Sequence, residues 1–203
     1  MTENEQGAAQ PVEDDGSDGP RHEREDVTAG LDQTADPGAG AGSAPVVLSG
    51  TPAERLAQLG LTLPPVPAPV ADYVPAVRTG AYVYTSGQLP FVDGALSMTG
   101  AVGDQPVDVS PEQAAALARQ CALNAVAAVA SVVALDSVVR VVKVTGFVAS
   151  APGFHGQPLV VNGASLLLGQ VFGDAGKHAR SAVGVMSLPL GAPVEVEIVV
   201  EVG

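Results

Sequence analysis

The sequence predicts an α+β fold, a mixed β-sheet with two helices on one of its faces. Three observations predict it. β-Branched runs at Val138–Ala149, Ser181–Met186 and Val194–Val202 read as strands. Two apolar segments, one opening at Ser110-Pro111-Glu112-Gln113 and one running from about Leu159 to Phe172, read as helices. The resulting order, β-β-(β)-α-β-α-β-β, neither alternates strictly nor separates strands from helices.

Residues 1–50 hold eleven acidic side chains against Arg21 and Arg24, and so carry nine of the thirteen net negative charges of the 203-residue chain. They have almost no bulky apolar residue before Val46, too little to offset the entropy of ordering, and are expected to be a disordered acidic tail. A single domain is expected over 51–203, with 51–79 as a helix and lead-in. Thr51-Pro52-Ala53-Glu54 combines an N-cap Thr, a Pro at the first helical position and a Glu three residues after the cap. That helix should end at Gly60. The stretch LTLPPVPAPVADYVPAV has five prolines in seventeen residues, which predicts a stiff, extended, non-helical lead-in.

From Gly80 the segment AYVYTSGQLPF reads as an edge strand bent at Gly87 and Pro90. A turn at Asp93-Gly94 leads to a return strand over Leu96–Val102. Ser110-Pro111-Glu112-Gln113 is a second capping box, and its helix repeats Leu117, Cys121, Ala125, Ala128 and Val132 on one side. After a loop with Pro152, Gly153, Gly156 and Pro158, the second helix stops at Gly173, and Leu188-Pro189-Leu190-Gly191 turns between the last two strands. With both helices on one face, the other face, expected to be lined by Val and Leu, needs a second subunit to cover it.

Composition removes several function classes. Apolar residues make up 46% of the chain but aromatics only 3%, with no Trp, so the core is built from Val, Leu and Ala. A net charge of −13 suits neither DNA nor RNA phosphates. One cysteine, Cys121, cannot form an internal disulfide, and a cytoplasmic protein is expected. No apolar run is long enough to span a membrane, and the first residues lack the basic start and apolar stretch of a secretory signal. His22, His155 and His178 lack metal-ligand spacing, so no metal and no cofactor is expected. GDAGKH at Gly173–His178 lacks the spacing of a phosphate loop and reads as a helix end and turn. Cys121, mid-helix on the apolar side, reads as inert core.

Two features exceed what a bland core requires. Arg180 opens a strand of small and apolar residues, and Glu195 and Glu197 share one side of VEVEIVVEV. They are either solvent-facing charges that discourage aggregation, or an Arg that clamps a carboxylate and a Glu that handles a water. Spacing alone does not choose between the two.

Resemblance adds to this. TSGQLP (Thr85–Pro90), AALARQCALNAVAAV, VVRVVKVTGFV (Val138–Val148), Asn162-Gly163-Ala164-Ser165 and HARSAVGVMSLPLGAPVEVEI (His178–Ile198) resemble the reactive-intermediate deaminases, the Rid or YjgF family. The likeness runs from about Gly80 to Val202 and points to an outlying branch. It implies a chorismate-mutase-like α+β fold, a homotrimer whose sheets form a central barrel, and sites between subunits. It further implies hydrolysis of 2-imino and enamino acids, such as 2-iminobutanoate and 2-iminopropanoate, to 2-oxo acids and ammonia. By the same resemblance Arg180 anchors the substrate carboxylate and Glu195 positions water. Gly87, after Ser86, offers a backbone N–H, Tyr73 closes the pocket, and Asn162 and Ala182 line it. His178 stands where the family usually has a small residue, often Pro, and Ala182 where it often has Cys. His178 is either a neutral surface side chain or part of the cleft mouth.

The rival reading from another class is a non-catalytic trimer that binds small carboxylates through the same cleft. Ribonuclease activity is disfavoured by the acidic balance of residues 51–203, by having only Lys143 and Lys177, and by the expected lack of an exposed aromatic platform.

Overall fold

Thr51 and Glu54 cap each other, with Thr51 N–H donating to the Glu54 carboxylate at 2.8 Å and Glu54 N–H to the Thr51 hydroxyl at 3.3 Å. This opens helix α1 (Pro52–Gln58) where the capping box predicts it. The computed structural model describes residues 48–66, 72–104 and 108–203. The helix also holds the residues just before Thr51: the Gln58 amide donates to Ser49 C=O at 2.8 Å, and Arg55 Nε donates to Gly50 C=O at 3.1 Å. The rest of the expected acidic tail lies outside the described residues.

The main sheet has five strands: β1 (Ala76–Thr79), β2 (Tyr82–Thr85), β5 (Val138–Ala149), β6 (Ala179–Val185) and β7 (Val194–Val202). Their order across the sheet is β1-β2-β7-β5-β6, and only β5–β6 is parallel, so the sheet is mixed as predicted. A parallel pair needs a long crossover, which helix α3 (Gln157–Phe172) provides. Helix α2 (Pro111–Ala130) packs beside α3, with α2 over β7 and α3 over β5 and β6. The α+β architecture with two helices on one face is therefore the one the sequence predicts.

Local differences have physical causes. The predicted edge strand is interior: β2 pairs with β7 on one side and β1 on the other, and β1 is the edge. β1 falls in the segment expected to be an irregular lead-in; it begins just past Pro75, where the chain regains the N–H groups that a ladder needs. The return strand Leu96–Val102 does not form. Instead β3 (Phe91–Val92) and β4 (Ala95–Leu96) make a separate two-stranded hairpin. Its turn is the predicted Asp93-Gly94, with φ of 50° and 81°, the all-positive pattern of the turn that matches strand twist. Helix α2 ends at Ala130, so Val132 lies beyond it and is exposed. Pro158 belongs to the first turn of α3 rather than to the loop, because a proline there forfeits no helical hydrogen bond.

The core is Val, Leu and Ala from the helix-covered face. β7 alternates strictly: Val194, Val196, Ile198, Val200 and Val202 are buried, each side chain contributing roughly 1.5–3 kcal/mol. Cys121 is buried, and its thiol lies 3.6 Å from Val194 C=O. At Gly163 a Cβ would overlap the Ala115 backbone, so the missing side chain lets α3 approach α2 closely. The uncovered face carries Val77, Val183 and Val199 of the Val- and Leu-lined surface expected, but interleaves them with aromatic and charged side chains. Across β7, Glu201 pairs with Tyr82 on one side and Arg140 on the other, Val199 pairs with Tyr84 and Lys143, Glu197 pairs with Thr145, and Glu195 with Phe147. Among the described residues no helix is long and apolar enough to cross a membrane.

Candidate functional site

The predicted site residues fall into two groups. The first surrounds Arg180. β6 begins at Ala179, so Arg180 is its second residue rather than its opener. Arg180 pairs in register with buried Val144, which turns its side chain to the face covered by α3. There Nη1 donates to Asn162 Oδ1 at 2.8 Å and to Ser165 Oγ at 3.1 Å. Both Nη1 protons are engaged by neutral acceptors, and no other hydrogen bond of this side chain occurs among the described residues. The Nε–Nη2 edge therefore remains as a two-donor fork of the geometry that fits a carboxylate. The single ion pair among the described residues is Lys177–Asp174, so no acid there neutralises Arg180. Ala182, two residues on, packs against the core on the same face and pairs with Gly146.

The second group surrounds Glu195. The TSGQ segment leaves the sheet and returns to it. Ile198 N–H donates to the buried Thr85 hydroxyl at 3.0 Å, and that hydroxyl donates to Ile198 C=O at 3.4 Å. Gln88 then rejoins β7 by exchanging two backbone hydrogen bonds with Val196, at 2.8 and 3.0 Å. Ser86 and Gly87 bulge out between these clips. A Cβ on Gly87 would overlap the Glu195 carboxylate, so only glycine lets the loop lie against it. No hydrogen bond among the described residues uses the Gly87 N–H. Ser86 N–H donates to Pro75 C=O at 2.9 Å and its hydroxyl to Val74 C=O at 2.7 Å, which moors the Tyr73 segment beside the loop.

Glu195 is half-buried and accepts no hydrogen bond from the described residues. Burial, and then the charge of Glu197 on the same face, push its carboxyl above the usual range for glutamate. A carboxylate so placed is a better proton acceptor. Burial and the neighbouring Glu195 charge push the Cys121 thiol far up, which suits an inert core cysteine.

One chain does not unite the two groups. Arg180 lies on the helix-covered face, whereas Glu195 alternates to the uncovered one. Register places them three residues apart along the strands and two strands apart across the sheet, on the order of 10 Å each way. A cavity of about 230 Å³ bounded by Pro64, Val66, Gln88, Phe91 and Asn124 contains neither residue, and no cation lines it. Among the described residues no three His, Cys, Asp or Glu side chains converge as a metal site would need.

Two residues of this geometry, Thr85, which clips the bulge, and Ser165, carry no site role in the sequence, and His178 stands there between the surface and the cleft mouth. The last two were within reach of spacing arguments. Ser165 is three residues after Asn162 on a helix, and His178 two residues before Arg180 beside a strand, so each pair shares a side.

An open guanidinium edge thus lies at one border of the sheet, and a half-buried acid lies against a glycine loop. The comparisons give the family: residues 65–202 match the Endoribonuclease L-PSP model, and the chain belongs to that family, the YjgF/Rid family that the sequence resembles. The chain is 48% identical over 158 residues to protein TCP17 of Trypanosoma cruzi, covering 77% of this chain and 97% of TCP17. It is 45% identical to Atu1372 of Agrobacterium tumefaciens, a protein of unknown function, with 73% of this chain and 91% of that one covered and a TM-score of 0.66. A Shewanella oneidensis protein provisionally described as an endoribonuclease is 30% identical, with 75% and 100% covered and a TM-score of 0.71.

Proposed function

We propose that this protein hydrolyses reactive 2-imino and enamino acids to 2-oxo acids and ammonia, in sites completed between the subunits of a homotrimer. The observation that carries the proposal is the Nε–Nη2 edge of Arg180, left open while Nη1 is held by Asn162 and Ser165. The placement of Arg180 and Glu195 on opposite faces supports a shared site: the groups meet only if the β6 edge of one copy lies against the Glu195 face of another.

In the proposed reaction Arg180 holds the substrate carboxylate, which orients the neighbouring C=N carbon. Water attacks that carbon while Glu195 takes one of its protons, and the C=N bond becomes C–N as the C–O bond forms. The protonated Glu195 returns the proton to nitrogen, the C–N bond breaks to release ammonia, and the hydroxyl proton passes to that ammonia as the C=O bond forms. An iminium ion and water thus become a 2-oxo acid and ammonium. The Gly87 N–H is available to polarise the forming oxygen or hold the water, and Tyr73, moored by Ser86, limits water entry.

The family name invites an RNA substrate. The chain's own tyrosines do not match the expected lack of exposed aromatics: Tyr73, Tyr82 and Tyr84 are 54%, 40% and 47% exposed. The face that carries Tyr82 and Tyr84 also sets Glu195, Glu197 and Glu201 against Arg140 and Lys143, a negative balance that disfavours phosphates.

The test generates 2-iminobutanoate with an amino-acid oxidase in the presence of semicarbazide and follows semicarbazone formation. The protein should suppress semicarbazone by removing the imine, and Arg180→Ala should not, while eluting as the same oligomer. If wild type and Arg180→Ala are equally inert but the wild type still binds 2-oxobutanoate, the protein is a carboxylate-binding module and not a deaminase.

A further inference from the structure

His178 does not lie idle at the surface. Its Nδ1 is 2.6 Å from Gly176 C=O, and its Nε2 is 3.0 Å from Ser165 Oγ. For the neutral ring these contacts set the direction of each proton in the chain of bonds. A carbonyl oxygen only accepts, so Nδ1 carries the proton of the neutral ring. Nε2 is then an acceptor, and the Ser165 hydroxyl must donate to it. With its proton turned toward His178, Ser165 Oγ presents a lone pair to Arg180 Nη1, 3.1 Å away. Asn162 Oδ1 receives the other Nη1 proton.

We propose that His178 is a positioning residue, acting through Ser165 to hold the Arg180 guanidinium and so to set how tightly the site grips a substrate carboxylate. The proposal rests on the reading that Arg180 anchors that carboxylate. Four neutral groups hold one cation here: Gly176 C=O, the His178 ring, the Ser165 hydroxyl and the Asn162 amide. A carboxylate partner would have neutralised the guanidinium, whereas these fix its plane and leave its charge to the ligand. Ser165 comes from α3 and His178 from the approach to β6, so the relay ties the helix to the strand end that bears Arg180.

The experiment compares wild type, His178→Ala, His178→Gln, Ser165→Ala, the His178→Ala/Ser165→Ala pair and Arg180→Ala. Binding of 2-oxobutanoate is measured by calorimetry, and KM and kcat in the semicarbazide assay. Loss of one neutral hydrogen bond in the relay should raise Kd and KM by roughly threefold to tenfold, with kcat changed by less than about twofold. His178→Gln, whose amide oxygen can accept from Ser165, should recover most of the affinity. The double variant should be no worse than the weaker single one, because both break the same chain of bonds. Nitrogen NMR of labelled histidine should show His178 protonated on Nδ1.

Wild-type affinity in His178→Ala, alongside lost affinity in Arg180→Ala, overturns the positioning role and leaves the anchor standing. Additive losses in the double variant, or a proton on Nε2, overturn it as well. Unchanged binding in Arg180→Ala overturns the anchor itself, and the role of His178 with it.

Discussion

The two ends of the candidate site solve opposite problems. At the β6 edge a cation is held firmly: Asn162 and Ser165 take both protons of one nitrogen, and neither partner carries charge. At the start of β7 an acid is left loose, with no hydrogen bond from the described residues and a like charge at Glu197. Neutral acceptors preserve the positive field of the guanidinium for an incoming anion. Burial without donors destabilises the carboxylate and makes it readier to accept a proton. In the proposed reaction rigidity therefore belongs to Arg180 and reactivity to Glu195, which lie on opposite faces of one sheet.

The largest expected effect falls on the anchor. Arg180→Ala removes both remaining fork donors and should lower kcat/KM by about two orders of magnitude or more in the imine assay. Arg180→Lys should recover little, since an ammonium lacks the planar fork. A mild defect in both would break the contrast.

Glu195→Gln should slow single-turnover hydrolysis clearly, though less than loss of the anchor, while substrate binding changes little. Its stability should move the other way. Because the native carboxyl titrates above its unfolded value, the native chain holds that proton more tightly, and wild-type stability falls as pH rises through the interval between the two values. The glutamine variant lacks that fall, so the melting temperatures of the two proteins should diverge as pH is raised from about 4 to 7. The wild-type kcat/KM should drop as pH is lowered through the raised value, where the base becomes protonated. Parallel melting curves would show that Glu195 is not strained by burial.

The scaffold beneath each end can be tested separately. Gly163→Ala places a methyl against the Ala115 carbonyl and should cost about 1–3 kcal/mol in urea unfolding. It should also weaken 2-oxobutanoate binding, since α3 carries Asn162 and Ser165. Thr85→Val leaves the Ile198 N–H without its partner and should cost about 1–2 kcal/mol. Its effect on turnover should appear in kcat, because the clip serves the Gly87–Glu195 end.

Much of this architecture was legible in the residues. Both capping boxes open helices, Val138–Ala149 and Val194–Val202 are strands at those bounds, and Gly173 closes α3. Each is a local decision, made by hydrogen-bond donors, side-chain branching or a missing Cβ within a few residues. The alternation of VEVEIVVEV likewise settled which side of β7 is buried. Strand pairing was not local. That β1 forms the edge, that β2 lies inside, and that Leu96–Val102 makes no continuous return strand depended on partners up to 119 residues away.

The same division runs through the site. Sequence by itself determined the charged groups worth attention, Arg180 and the Glu195/Glu197 pair, because an Arg among small residues and acids on an apolar strand both need a reason to be there; the resemblance then chose Glu195. Only the tertiary structure decided that they face opposite sides of one sheet, and that Thr85 bridges two groups of Ile198 so that Gly87 can reach Glu195. It alone decided that His178, Ser165 and Arg180 form one chain of bonds. Chain order carries the chemistry of each side chain, but the direction of a proton depends on which atom folding places within 3 Å of it.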